Sequence, residues 1–133
     1  MKYIQSLLLL PALTLATPLP QSDDIANFGL CFSTAKELPA LINSFCSESS
    51  IMVPSDYASS GKQSGMYMVS IGGDCEPAEW VPSEWCGIQL RAVCARFGGK
   101  AIGPGAFATG RWGGGGCQTF RVEKVGYEFV PWS

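Results

Sequence analysis

The stretch SEWCGIQLRAVCARFGG, residues 83–99, places two cysteines eight positions apart within a helical pattern. Ser83 has the side chain of a helix N-cap, and Gly98 and Gly99 are typical of a helix end. The apolar side chains recur at the spacing of one helix face; they are Cys86, Leu90, Val93, Cys94 and Phe97. Two cysteines that are separated by two helical turns cannot bond to each other. We therefore predict that each reaches a different element and that together they pin this helix to a sheet from both ends.

A second helix is predicted upstream, beginning near Glu37. Pro39 fits this interpretation because the first turn of a helix tolerates proline. Its apolar side chains follow the i, i+3, i+4, i+7 spacing, and they are Leu38, Leu41, Ile42 and Phe45. Cys46 then lies at the C-terminal end of this helix.

Strand patterns account for much of the remaining chain. Strands are predicted over residues 65–71 and 117–125, around Phe107, and over residues 127–130. In the second of these, Phe120 and Val122 alternate with polar side chains and should face inward. The polar residues 54–65 are expected to form a connecting loop. The pattern predicts an α+β fold, in which two helices pack on a small antiparallel sheet.

The cysteines predict three disulfides, because an even number in a small domain is typical of a secreted, crosslinked fold. They are Cys31, Cys46, Cys75, Cys86, Cys94 and Cys117. Each bridge contributes about 2–4 kcal/mol, which a domain with a small core needs. The sequence leaves their pairing open. Because the chain has no histidine and no CxxC pair, we expect neither a metal site nor a cofactor.

Residues 1–16 have the layout of a secretory signal peptide. Lys2 precedes an apolar run that ends on small side chains and is too short to span a bilayer. We expect a flexible leader over residues 17–24 and a single disulfide-stabilised domain over residues 25–133. The protein is therefore predicted to be secreted and extracellular, without a membrane span.

Charge and composition narrow the classes of function. The formal net charge is −2 without any basic run, so nucleic acid is not an expected partner. The lack of histidine excludes Ser–His and Cys–His nucleophile pairs. Glu76, Glu79 and Glu84 could hydrolyse a glycosidic bond if a cleft held two of them at the required separation. We instead interpret these glutamates as part of a solvated acidic loop, and so do not expect an enzyme.

The segment GRWGGGGC, residues 110–117, is rich in glycine. It does not fit a phosphate-binding loop, because such a loop leads into a helix and commonly carries a lysine. Two interpretations remain. In the first, the glycines only allow Cys117 to reach its partner. In the second, they display Trp112 and Arg111 to a sugar, which an indole face and a guanidinium both suit. The candidate ligand-binding residues are Trp112, Arg111, Trp80 and Trp85.

The order of the cysteines and the elements around them can be compared with those of known protein families. Cys31–Phe32 opens the framework, Cys46 ends a helix, and Cys75 follows a strand; EWCGIQLRAVCARFGG, residues 84–99, and Cys117 complete it. This framework resembles a small secreted, glycan-binding, lectin-like domain found in fungi, which implies a disulfide-stabilised fold that binds carbohydrate. In that family a polar Asp-Pro-Asn turn precedes the last cysteine, whereas this chain has GRWGGGG. The resemblance therefore assigns no binding residue.

The framework is also similar to small fungal killer-toxin-like proteins, although their GCxxCG type of segment is absent. This second resemblance implies a toxin that acts on a target cell, for example at an ion channel. Our leading hypothesis is a secreted protein of a fungus that binds carbohydrate. The alternative is an effector or killer-toxin-like protein that acts on a host surface protein or an ion channel. A glycan hydrolase that uses Glu76, Glu79 or Glu84 is the third hypothesis.

Overall fold

The computed structural model describes the backbone of residues 20–125 and the side chains from residue 23 onward. The predicted signal peptide, the first residues of the predicted leader and the predicted strand over residues 127–130 lie outside this range. Within it the helices are α1 (Pro20–Thr34), α2 (Glu37–Cys46), α3 (Asp56–Ser60) and α4 (Ser83–Cys94). The strands are β1 (Ile51–Val53), β2 (Lys62–Ser64), β3 (Tyr67–Gly73), β4 (Glu79–Val81), β5 (Phe107–Trp112) and β6 (Gln118–Lys124).

Four of the strands form an antiparallel sheet in the order β2-β3-β6-β5, and β1 pairs with β4 in a separate antiparallel ribbon. The central pair, β3 and β6, is aligned along its whole length. Phe120 and Val122 are fully buried, as their alternation predicts. The α+β fold is thus confirmed, with two sheets instead of one among the described residues.

The core lies between the four-stranded sheet and the helices. α2 and α4 pack on the sheet, and α1 packs against both of these helices. The largest fully buried side chains include Phe45, Phe120, Leu38, Ile42, Ile51, Ile71 and Leu90. Among residues 20–125, none of the helices has both the length and the apolar content that crossing a membrane requires.

Both predicted helices are present. α2 begins at Glu37 and ends at Cys46, and α4 is followed by a 3-10 turn that stops at Gly98, whose φ of 68° is left-handed. One detail of the prediction is wrong, because Pro82 and not Ser83 occupies the N-cap position of α4. The Ser83 hydroxyl donates instead to the carbonyl of Cys46. It thereby satisfies one of the carbonyls that the end of α2 leaves free.

The six cysteines form three disulfides, Cys31–Cys94, Cys46–Cys86 and Cys75–Cys117. The two cysteines of α4 do reach different elements, but the prediction that they pin α4 to the sheet is wrong. Their partners are on α1 and at the end of α2. The contact with the sheet is apolar: the side chain of Val93 lies over Gly110 of β5. The crosslinks therefore join helix to helix, and apolar packing joins α4 to the sheet.

α1 was missed in the sequence, and it begins at Pro20, inside the predicted leader. Of its described side chains, only Cys31 and Thr34 are buried, so it contributes little apolar surface to the core. Thr34 donates its hydroxyl to the Leu30 carbonyl, 3.1 Å away. A pattern of apolar residues could not reveal this helix, because it lacks an apolar face turned towards the core.

The predicted polar loop over residues 54–65 is also wrong, since it contains α3 and β2. The Ser55 side chain caps α3 by accepting a hydrogen bond from the amide of Ala58 at 3.2 Å. Gly61, with φ 70°, ends the helix. The capping signal was present in the sequence, but a helix of five residues is too short to show periodicity.

Candidate functional site

The carboxylate of Glu79, on β4, is enclosed by the glycine turn formed by residues 113–116. The amide of Gly114 donates to both carboxylate oxygens at 3.2 Å, and Gln118 Nε2 donates to Oε1 at 2.9 Å. A Cβ on Gly113 would lie 2.6 Å from Oε1, and one on Gly114 would lie 2.8 Å from Oε2. The carboxylate thus occupies the space that side chains at these two positions would need.

The glycine turn is closed by its own backbone. The amide of Gly116 donates to the Gly113 carbonyl at 3.0 Å, and that of Cys117 donates to the Gly114 carbonyl at 3.2 Å. Gly113 has a φ of 81°, in the left-handed region that glycine adopts without strain. The turn leads directly into Cys117 and its disulfide with Cys75. This geometry agrees with the interpretation in which the glycines allow the crosslink to form.

Arg111 and Trp112 lie on β5 and not on the glycine turn. Arg111 is exposed, and its Nε donates to the Gly116 carbonyl at 3.0 Å. Trp112 is only partly exposed: its ring meets Phe120 edge-on, with centroids 5.0 Å apart, and lies over Gly110. This placement does not support the interpretation in which the loop displays Trp112, because the ring packs against the core.

Trp80, the central residue of β4, is the most exposed of the described tryptophans, at 58%. It stands opposite Met52 of β1, whose side chain is 36% exposed. The indole Nε1 donates to the Ser49 carbonyl at 3.0 Å. This hydrogen bond holds the ring in position while leaving much of its surface open to solvent.

The turn that precedes β1 contacts the Trp80 indole through the Ser49 carbonyl and carries polar side chains on both sides of that residue. The Ser50 hydroxyl donates to Glu48 Oε2 at 3.2 Å, and both side chains are exposed. They flank Ser49, the residue that holds the indole. We call the group Glu48, Ser50, Met52 and Trp80 the Trp80 surface. It combines an aromatic face with hydrogen-bonding groups, which is the composition of many ligand sites.

The pKa of Tyr57, on α3, responds to burial and to Glu48. Burial, and secondarily the charge of Glu48, raise the pKa of this phenol above its usual value. The Tyr57 hydroxyl donates to the Phe45 carbonyl at 2.6 Å, and the two rings stack with centroids 5.1 Å apart. The field of the Glu48 carboxylate therefore extends from the turn before β1 to α3.

The four predicted ligand-binding residues do not share one surface. Successive side chains of a strand point to opposite faces, so Trp80 points away from Glu79 and from the glycine turn next to Arg111. Trp85 lies on another element, in the first turn of α4, and is 47% exposed. Sequence reasoning identified Trp80 but missed its partners from the turn before β1. Only the pairing of β1 with β4 brings that turn to the indole.

The three candidate catalytic carboxylates are in different settings. Glu79 is engaged by the glycine turn, and Glu76 is exposed. Glu84 borders a groove of about 320 Å³, which Arg91 and Asp24 also line. Arg91 donates to both oxygens of Asp24, at 2.6 and 2.8 Å, so these charges neutralise each other.

One cluster has the composition of a metal site. The sulfurs of Cys75 and Cys117 and a carboxylate oxygen of Glu79 lie within 4.8 Å of one another. A metal would require thiolates, however, and these two sulfurs are joined in a disulfide. The arrangement therefore serves the crosslink and not a metal ion.

Comparison with protein-family models, with curated proteins and with solved structures gave no match for this chain. The resemblance to fungal glycan-binding domains stays a prediction that rests on the cysteine framework.

Proposed function

We propose that this protein binds carbohydrate through the Trp80 surface. The observation that carries the proposal is the Trp80 indole, which is 58% exposed and tethered through its N–H to Ser49. An exposed indole offers a flat apolar face to the C–H groups of a sugar ring. Because the tether restricts the ring before binding, little conformational entropy is lost when a ligand stacks on it.

The groups around the indole support the same proposal. Glu48 and Ser50 can form hydrogen bonds with hydroxyl groups, which orient a sugar over the ring. Met52, opposite Trp80, extends the apolar area with a side chain that adapts to irregular surfaces. A crosslinked scaffold supports a preformed site, and the three disulfides are compatible with the secreted location that we also propose.

A glycan array tests this proposal. The oxidised protein, purified from the medium of a yeast that expresses the full chain, is applied beside Trp80→Ala and the matched control Trp85→Ala. We expect defined oligosaccharides to bind the parent and the control but not Trp80→Ala, with similar melting temperatures for all three. Binding that survives Trp80→Ala, or is lost equally in both variants, would overturn the proposal.

The alternative function is an effector or killer-toxin-like protein that acts on a host surface protein or channel. The exposed apolar side chains of α1 favour it: Ile25 is 74% exposed and Phe32 is 52% exposed. Soluble proteins seldom leave such side chains together in solvent without a use for them. A folded, oxidised sample that binds no glycan but acts on cells would support this alternative.

A further inference from the structure

Two arginines and two threonines form a square on one face of the four-stranded sheet. Thr109 and Arg111 are on β5, and Thr119 and Arg121 are on β6. Arg111 stands opposite Thr119, and Thr109 stands opposite Arg121. Because alternate side chains of a strand share a face, all four point to the same side of the sheet. We call these four residues the Arg–Thr square.

The residues between the members of the square show that it faces away from the helices. A Cβ on Gly110 of β5 would meet Val93 of α4 at 3.1 Å, and Phe120 of β6 is fully buried in the core. Neighbouring side chains of a strand point to opposite faces, so the square lies on the outer face. Arg111 is exposed there, and the Arg121 side chain is 35% exposed.

Both guanidinium groups of the square are held through the same nitrogen. Arg111 Nε donates to the Gly116 carbonyl at 3.0 Å, and Arg121 Nε donates to Glu123 Oε1 at 2.9 Å. The Phe107 ring also supports Arg121, whose guanidinium carbon lies 3.9 Å from the ring centroid. Within residues 23–125 the terminal nitrogens of the two arginines make no hydrogen bond, so they remain available to a ligand.

The square offers donors and positive charge to that ligand. Glu123 offsets one of the two arginines, which leaves a formal charge of +1 on this face of a chain whose formal net charge is −2. Diagonal positions on paired strands lie roughly 7 Å apart, within reach of long side chains. Two planar guanidinium groups at this separation suit a carboxylate. Two arginines without a basic run are too few for a nucleic acid or an anionic membrane surface.

We propose that the Arg–Thr square binds an acidic oligosaccharide through the carboxylate of a uronic acid unit. In this arrangement the terminal nitrogens of the arginines donate to the carboxylate, and the threonine hydroxyls bond to hydroxyl groups of the same sugar. Trp80 belongs to the β1–β4 ribbon and the square to the four-stranded sheet. The square is therefore a second site, and it does not depend on the function proposed above.

Isothermal titration calorimetry at about pH 7 and low ionic strength tests this assignment, because a uronic acid is ionised there and salt screening is weak. The probes are trigalacturonic acid, its fully methyl-esterified form, which has the same sugars without charge, and sodium sulfate, an anion without a sugar. We expect the acid to bind about tenfold more tightly than the ester, the combined size of two surface ion pairs. Sulfate should bind more weakly than the acid.

Variants of the square locate the site. Arg111→Gln and Arg121→Gln should each reduce the preference for the acid to about threefold. The matched control is Arg96→Gln, which removes the same charge from an exposed position in the 3-10 turn after α4 and should keep the tenfold preference. Melting temperatures show whether each variant is folded.

Each remaining outcome would overturn the inference. Equal affinity for acid and ester, or an equal loss in Arg96→Gln and the square variants, would remove the site. Sulfate that binds as tightly as the acid would leave an anion site without a role for the sugar. Trp80→Ala should keep its affinity for the acid, and its loss would place the acid on the Trp80 surface. Failure of the Trp80 surface on the glycan array is therefore distinguishable from failure of the square.

Discussion

Glu79 shows how one side chain can link a glycine turn to a neighbouring strand. The carboxylate accepts from the Gly114 amide and from Gln118, a residue that is 94% buried in β6. It thereby joins the β1–β4 ribbon to the four-stranded sheet, beside the Cys75–Cys117 disulfide. Glu79 lies against Gly113 and Gly114, whereas Gly115 and Gly116 have the positive φ angles, 65° and 72°, that glycine adopts without strain.

Replacing Glu79 by alanine should therefore destabilise the fold. We expect Glu79→Ala to lower the free energy of unfolding by about 1–3 kcal/mol, because the buried Gln118 amide and the Gly114 N–H lose their acceptor. Denaturant unfolding followed by circular dichroism measures this change. The exposed neighbour Glu76→Ala is the control and should lie within about 0.5 kcal/mol of the parent. Equal stability of the two variants would contradict the role assigned to Glu79.

Trp80 on β4 and Trp112 on β5 are the same residue type, yet their surroundings leave the first more exposed than the second. The Trp112 ring is held against Phe120 and Gly110. The Trp80 ring donates its N–H to Ser49 and is 58% exposed. Because strand position determines which face a side chain takes, neither composition nor loop length could distinguish the two.

At the scale of elements, α1 is held by specific bonds more than by apolar packing. Its attachments to α4 are the Cys31–Cys94 disulfide and the ion pair between Asp24 and Arg91. Its large apolar side chains instead face solvent. The ion pair is bidentate, and its side chains are only 16% and 22% exposed. It therefore adds to the disulfide, which is the covalent constraint on this helix.

Removing that disulfide should release α1 selectively. In a variant that combines Cys31→Ala with Cys94→Ala, we expect a loss of about 2–4 kcal/mol and fast amide hydrogen exchange over Pro20–Thr34. α2 and α4 should keep their protection, because apolar packing on the sheet holds them. Hydrogen-exchange mass spectrometry reads out both effects.

The matched control removes Cys75 and Cys117 instead, by the same substitutions to alanine. It should lower stability by a similar amount without releasing α1 ahead of the other helices. Uniform exchange across α1, α2 and α4 in the Cys31 and Cys94 variant would show that apolar contacts hold α1 after all.

At the scale of the whole molecule, two tyrosines on different elements link stability to pH. Burial and then Glu48 raise the pKa of Tyr57, and burial and then Glu37 raise that of Tyr67. The unfolded chain has phenols near their usual value of about 10, so it releases these protons at lower pH than the folded protein. Their contribution to stability is complete below pH 10 and is lost as the pH rises further.

The free energy of unfolding should therefore decrease above about pH 10. Denaturant titrations at a series of alkaline pH values measure the decrease. Tyr57→Phe should be less stable at neutral pH, because the hydrogen bond to Phe45 is lost, but its stability should fall less steeply above pH 10. An unchanged slope in this variant would contradict the raised pKa of Tyr57.

Local pattern was enough to predict α2, α4, β3 and β6. In each of these elements the apolar side chains that repeat along the chain are the ones that the core buries, as in Leu38 and Phe45 or Phe120 and Val122. The cysteine count likewise predicted three bridges, and the separation of Cys86 from Cys94 predicted that they have different partners. Each of these inferences depends on residues that are close together in sequence.

The sequence by itself thus determined the α+β class, two of the helices and the crosslinked character of the domain, because periodicity and cysteine number are local properties. Only the tertiary structure decided which cysteines pair, that α1 forms with little apolar surface turned inward, and that Trp80 is more exposed than Trp112. It also brought Glu79 against the glycine turn, and the Ser49 carbonyl to the Trp80 indole. Apart from the contact of Trp112 with Phe120, these features depend on contacts between residues about 30 or more positions apart, and side-chain patterns carry no record of which distant neighbours will meet.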